Sequence, residues 1–129
     1  MKYMLLIYLD EQNPLSETER QDCYAESTQL AQELHIKGQY LGANPLHATA
    51  TATSVRVRDG KKFVTDGPFA EAKEFLAGFW IVEVEKTERA YAIAAKVSTA
   101  PGPGGKPLVI PVEVRQVMSA PPDGCGPNR

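Results

Sequence analysis

The first segment of the chain, residues 2–9, is apolar on both of its alternating faces. A strand with one solvated face alternates apolar and polar residues, so this pattern predicts a β-strand that is covered on both sides. One face is predicted to carry Tyr3, Leu5, Ile7 and Leu9, and the other Met4, Leu6 and Tyr8.

Two later segments have the 3.6-residue periodicity of amphipathic helices. The first opens with a capping box, in which Glu19 follows Ser16, and Gly38 is placed to end it. Its inward stripe is predicted to consist of Cys23, Ser27, Leu30, Ala31 and Leu34. The second helix, "TERAYAIAAKV", is predicted to have Thr87 as its N-cap and to bury Ala90, Ile93, Ala94 and Val97.

The other patterns predict strands. "TATSVRVRDGKKFVT" alternates on both sides of Asp59-Gly60, which favours a hairpin with a two-residue turn. "GQYLGANPL" predicts a short extended segment that ends at Pro45. "GFWIVEVE" predicts a strand with Trp80, Val82 and Val84 on one face. "VIPVEVRQVM" predicts the last strand.

The predicted order is strand, helix, hairpin, strand, helix, strand. This order indicates an α+β fold with a largely antiparallel sheet, and a ferredoxin-like βαββαβ subunit is the natural candidate. Two helices on one side of such a sheet leave the other side bare, yet the first strand is apolar on both sides. A second copy of the chain is the simplest cover, so we expect a homodimer.

Composition narrows the class of protein. The 129 residues predict one domain over about residues 1–118, and the Gly- and Pro-rich residues 119–129 are expected to be a disordered tail. A net charge of −2 with scattered cations gives no basis for direct nucleic-acid binding. The opening apolar run is too short for a signal sequence or a membrane span, and Cys23 and Cys125 are interpreted as free thiols of a cytoplasmic protein.

Residues 64–84, "VTDGPFAEAKEFLAGFWIVEV", contain the most specific motif of the chain. With this motif, the opening "MKYMLLIY", the helix "CYAESTQLAQELH" and the closing "VEVRQV", the chain resembles the DGPF-domain proteins, a branch of the YCII-related family. The resemblance covers about residues 1–118. The motif positions that match are Asp66, Gly67, Pro68, Phe69, Ala70, Glu71, Lys73, Glu74 and Gly78.

The resemblance implies a dimeric α/β-barrel of ferredoxin-like subunits, and it leaves two functions open. DGPF members look like partners of extracytoplasmic-function sigma factors, which implies a small-ligand-binding or regulatory module in transcription control. YCII-related proteins are also similar in fold to small lyases and isomerases, for which a His-Asp pair has been suggested as the active site. That similarity implies a cofactor-free enzyme acting on a small organic molecule.

Both functions draw on the same residues but give Asp66 different roles: in a binding module it organises a loop and takes part in no chemistry, whereas in an enzyme it is catalytic. Asp66 is the candidate general base, and His47 or Tyr24 is its candidate proton partner. Arg56 is a candidate counter-charge for an anionic ligand. The candidate catalytic residues are thus Asp66 and His47, and the candidate ligand-binding residues are Tyr24, Arg56, Gly67, Pro68, Phe69 and Lys73.

Each of these residues also has an ordinary structural interpretation. Asp66 is of a type that forms turns by hydrogen bonding its own backbone, and Phe69 is of a type that fills cores. Tyr24, His47, Arg56 and Lys73 are of types that pack at or cover a solvated surface. No spacing of His, Cys and carboxylates indicates a metal site, "APGPGGKP" lacks the residues of a phosphate-binding loop, and no cofactor is expected.

Overall fold

A computed structural model describes residues 1–11, 16–68, 74–99 and 110–118 of the chain. The expectations for Phe69, Lys73 and the tail fall outside these residues. In chain order the elements are β1 (Lys2–Asp10), α1 (Glu17–Ile36), β2 (Tyr40–Pro45), a short 3-10 helix (Thr49–Thr51), β3 (Thr53–Arg58), β4 (Lys61–Asp66), β5 (Glu74–Glu83), α2 (Thr87–Ser98) and β6 (Val112–Gln116).

Four of the strands form one antiparallel sheet in the order β2-β5-β1-β6. The central pair, β1 and β5, runs from Lys2 opposite Glu83 to Asp10 opposite Glu74, with a register shift after Ile7. The predicted α+β class is therefore confirmed, and this strand order is compatible with a ferredoxin-like subunit.

In the expected βαββαβ order the hairpin supplies strands of the main sheet, but the structure places a different segment there. The hairpin of β3 and β4 forms a separate two-stranded sheet, and the segment that ends at Pro45 is a true strand, β2, beside β5. Gly42, Asn44 and Pro45 have low strand propensity, so their local pattern hides a strand that tertiary pairing stabilises. Gly78 permits this pairing, because a Cβ there would lie 3.0 Å from the Asn44 carbonyl oxygen.

The core lies on one face of the main sheet, beneath both helices. Its fully buried side chains come from β1, α1, β5 and α2, so four elements share one apolar layer. The members with the least exposure are Leu5, Leu34, Val82, Ala90 and Ile93.

The two helices begin close to where the sequence predicts. Ser16 caps α1 through the capping box with Glu19, and Gly38 follows the helix with a φ of +70°, as predicted. Helix α2 begins at Thr87, but its N-cap is Lys86. The Thr87 hydroxyl instead lies 2.6 Å from the Tyr3 hydroxyl, which ties α2 to β1.

The opposite face of the main sheet, here called the open face, carries no described helix. Register places Met4 opposite Ile81 and Leu6 opposite Phe79 on this face, and all four side chains are partly exposed. The two-sided apolar pattern of β1 is therefore confirmed, whereas the second copy that was expected to cover this face stays a prediction.

Replacing Leu34 by Ala is expected to lower the free energy of unfolding by roughly 2–5 kcal/mol, because the side chain is 0% exposed and its loss leaves a cavity. Ile36→Ala in the same helix is the control, since Ile36 is 85% exposed and its truncation is expected to cost less than about 0.5 kcal/mol. Urea unfolding followed by circular dichroism measures both values. Equal losses would contradict the core described here.

Candidate functional site

The Asp66 carboxylate lies at the end of β4, at the end of the hairpin away from the Asp59-Gly60 turn. Asp66 pairs with Thr53 across the hairpin, and its side chain is exposed. Gly67 follows with a φ of +107°; its N–H donates to the Ala52 carbonyl at 2.8 Å, and its own carbonyl accepts from the Ser54 hydroxyl at 2.8 Å. Gly67 therefore ends the hairpin through a backbone conformation that other residues rarely adopt.

The other predicted site residues lie on separate elements. Tyr24 is on α1, His47 follows β2, and Arg56 is on β3; all three are exposed. Within the described parts of the chain, neither Tyr24 nor His47 forms a side-chain hydrogen bond with Asp66. Pro68 is exposed after the Gly67 turn, and a shared cleft of these residues with Phe69 stays a prediction.

A cleft of about 320 Å³ opens elsewhere, between α1 and α2. Trp80 of β5, which is 4% exposed, lies at its floor, and Leu30 and Val97 form its apolar walls. The indole ring is held by Tyr40, whose ring meets it edge-on at a centroid distance of 6.0 Å. We call this space the interhelical cleft; its remaining lining consists of Glu26, Ser27, Gln29, Glu33, Lys96 and Thr99.

The rim of the interhelical cleft is polar and carries both signs of charge. Lys96 Nζ lies 3.7 Å from Glu33 Oε2, so an ion pair between half-exposed side chains links the two helices. Cys23, a free cysteine, lies one turn before Ser27 on α1. Burial raises the pKa of its thiol, Glu26 raises it further, and a hydrogen bond with Ser27 opposes the shift. The thiol is therefore neutral near pH 7.

Comparison with known proteins places the chain in a family. Residues 1–104 match the YCII-related domain. The chain belongs to the YCII-related family. It is also 30% identical over 102 residues to an uncharacterized protein of Rhizobium meliloti (strain 1021), a match that covers 78% of this chain and 82% of that protein.

In this YCII-related protein, one hydrogen-bonded pair of polar residues on the open face was not predicted from the sequence. The Tyr8 hydroxyl donates to Glu113 Oε1 at 3.0 Å, although the two residues are 105 positions apart. This hydrogen bond is the main reason that the pKa of Tyr8 is raised; burial and the charge of Glu113 add to the shift, and Arg115 opposes it. The alternation of Glu113 and Arg115 with Val112 and Val114 is the sequence pattern that could have indicated these polar residues on the open face.

Metal binding and membrane insertion have no support in the described regions of this YCII-related chain. No three His, Cys, Asp or Glu side chains there are grouped so that they could hold a metal ion. Neither described helix combines the length and the apolar character that crossing a bilayer requires.

The Asp-Gly pair of the family motif gives a direct test of structural against functional importance. Asp66→Asn is expected to change the free energy of unfolding by less than about 0.5 kcal/mol, because the carboxylate is exposed. Gly67→Ala is expected to cost roughly 1–3 kcal/mol, because its φ of +107° strains any residue with a Cβ. Thermal and urea unfolding of both variants measure this difference. A large loss in Asp66→Asn would make Asp66 a turn-forming residue.

Proposed function

We propose that this YCII-related protein is a homodimeric small-molecule-binding module whose ligand occupies the interhelical cleft. The observation that carries the proposal is the combination of Trp80, Leu30 and Val97 with a polar rim. Small-molecule sites are concave spaces of roughly 300–1,000 Å³ in which apolar walls are combined with polar groups that orient the ligand. The volume of the cleft, about 320 Å³, lies at the lower end of that range.

A second, larger space of about 450 Å³ supports the proposal less well. It lies beside the turn after α1 and the start of α2. Its lining carries more charged side chains than that of the interhelical cleft: Lys37, Glu83, Glu85, Lys86 and Arg89 against Glu26, Glu33 and Lys96. It has no aromatic floor, and Arg89 Nε already donates to Gln39 Oε1 at 3.1 Å. The interhelical cleft is therefore the better site for a ligand with an apolar body.

The chemistry of the interhelical cleft favours binding over catalysis. Its thiol neighbour Cys23 has a raised pKa, whereas a catalytic cysteine needs a lowered one. Glu33 is paired with Lys96, and Asp66 and His47 are not among the lining residues. A binding module fits the regulatory role that the family resemblance implies, and its link to a sigma factor stays a prediction.

Binding in the interhelical cleft can be followed through Trp80, because it is the sole tryptophan of the chain. Titration with hexylamine, hexanoate and hexanol is expected to change the Trp80 emission with at least one of the three probes. Ser27→Phe is expected to fill the cleft and to weaken that response about tenfold or more, since the bulky ring takes the ligand's space.

Thr28→Phe is the matched control for this experiment. Thr28 neighbours Ser27 on α1 but is exposed and does not line the cleft, so this variant is expected to bind like the wild type. The proposal is wrong if none of the three probes changes the emission, or if Ser27→Phe folds and responds like the wild type.

The proposed dimer rests on the open face. Its centre is apolar, with Met4 and Leu6 of β1 beside Ile81 and Phe79 of β5. Stable homodimers bury apolar surfaces of this kind, and a two-fold axis lets one face pair with its own copy.

Sedimentation velocity is expected to give twice the chain mass for the wild type. Phe79→Lys is expected to give the mass of one chain, because it places a charge at the centre of the open face. Tyr91→Lys makes the same change on α2, where Tyr91 is exposed on the helix side, and is expected to leave the dimer intact. A monomeric wild type, or a folded Phe79→Lys variant that stays dimeric, would contradict this interface.

A further inference from the structure

The hairpin of β3 and β4 stands apart from the main sheet, yet it exposes apolar side chains. Within the described chain, its two strands contact each other extensively and contact the other elements little. Val55 and Val64 are each 58% exposed and Val57 is 72% exposed. A lone two-stranded hairpin is marginally stable in water, so an exposed apolar hairpin indicates a surface that packs against something else.

Register divides the hairpin into two different faces. Thr53 lies opposite Asp66, Val55 opposite Val64 and Val57 opposite Lys62, so these six residues share one face, which we call the valine face. The other face carries Arg56, Arg58, Lys61 and Phe63. The hairpin is therefore amphipathic, with three clustered valines beside Lys62 and Asp66 on one face and the other three cations on the opposite face.

Charge indicates which surface the hairpin fits. The hairpin has a net side-chain charge of +2, because it contains four cations, Arg56, Arg58, Lys61 and Lys62, and two anions, Asp59 and Asp66. The open face has the opposite net side-chain charge, because it carries four carboxylates, Asp10, Glu74, Glu83 and Glu113, and two cations, Lys2 and Arg115. Lys62 lies on the valine face itself, whereas Arg56, Arg58 and Lys61 lie on the opposite face and act over a longer distance. The Debye length at physiological ionic strength is about 8 Å, so charges on the hairpin and on the open face attract each other once the two surfaces are close.

We propose that the hairpin packs its valine face on the margin of the open face of a second copy of the chain, beside the apolar centre that pairs with its own copy, in a reciprocal exchange about a two-fold axis. This inference rests on the proposed dimer and adds a second contact to it. The occupant is a second copy because both surfaces, apolar and opposite in charge, are present on every chain. Asp66 shares the valine face, so each copy contributes the Asp66 carboxylate to the surface of its partner.

The combined variant Val55→Thr, Val57→Thr and Val64→Thr tests the contact. Thr keeps the β-branched shape that strands favour but replaces a methyl group by a hydroxyl, so the hairpin is expected to persist while its apolar contact weakens. We expect the dimer dissociation constant, measured by sedimentation equilibrium, to rise about tenfold or more. Phe63→Thr removes an exposed apolar side chain from the opposite face and is expected to change this constant less than about threefold.

A second measurement keeps the test valid if the combined variant does not fold. The photo-crosslinking residue p-benzoylphenylalanine at position 57, in an otherwise unaltered chain, is expected to give a chain-to-chain adduct on β1, β5 or β6. An adduct within one chain or on the helices overturns the inference, as does a folded combined variant whose dissociation constant is unchanged. A monomeric wild type overturns both the proposed dimer and the hairpin contact. If Phe79→Lys is monomeric but the folded combined variant dimerises like the wild type, only the hairpin contact is overturned.

Discussion

The pairing of β1 with β5 is the interaction on which the rest of the structure depends. It fixes which side chains of the two central strands share a face, because alternate residues of a strand point to opposite sides of the sheet. Tyr3 and Leu5 thereby lie beside Val82 and Trp80, and this continuous apolar surface is what both helices cover. A slip of one residue in this pair would misalign the faces of the two strands, so that Tyr3 and Leu5 would no longer lie on the same side of the sheet as Val82 and Trp80.

The same pairing makes the protein two-sided. The helices cover one face, and the ion pair between Glu33 and Lys96 joins them over Trp80 without filling the space between them. The other face keeps an apolar centre with charged edges. The interhelical cleft and the open face therefore lie on opposite sides of the sheet, so a ligand in the cleft and a second copy on the open face do not compete for the same surface.

Much of the fold could be predicted because it is encoded locally. The capping box of α1, the Asp59-Gly60 turn and the alternation of Trp80, Val82 and Val84 each follow from a few neighbouring residues. The location of the hairpin could not be predicted this way, since β2 has weak strand propensity and is defined by its pairing with β5.

The candidate site was harder to predict than the fold for the same reason. Family resemblance directed attention to Asp66, but no sequence pattern states that Asp66 ends an exposed hairpin or that Trp80 forms the floor of a cleft between two helices. The contact of Tyr8 with Glu113 joins the first and last described strands, so it depends on β1 and β6 being neighbours. Spatial proximity of this kind follows from topology rather than from spacing along the chain.

The position of the hairpin in the connection between β2 and β5 has an evolutionary consequence. Those two strands are adjacent and antiparallel, so a short turn is enough to join them, and the described residues from Leu46 to Pro68 add no side chain to the core. Apart from the motif residues Asp66, Gly67 and Pro68 at its end, mutations in this excursion are therefore largely uncoupled from folding of the core, and natural selection can change its length and surface while the sheet and helices stay the same. Divergence among proteins built on this fold is expected to be concentrated there, and new specificities can arise there at little cost in stability.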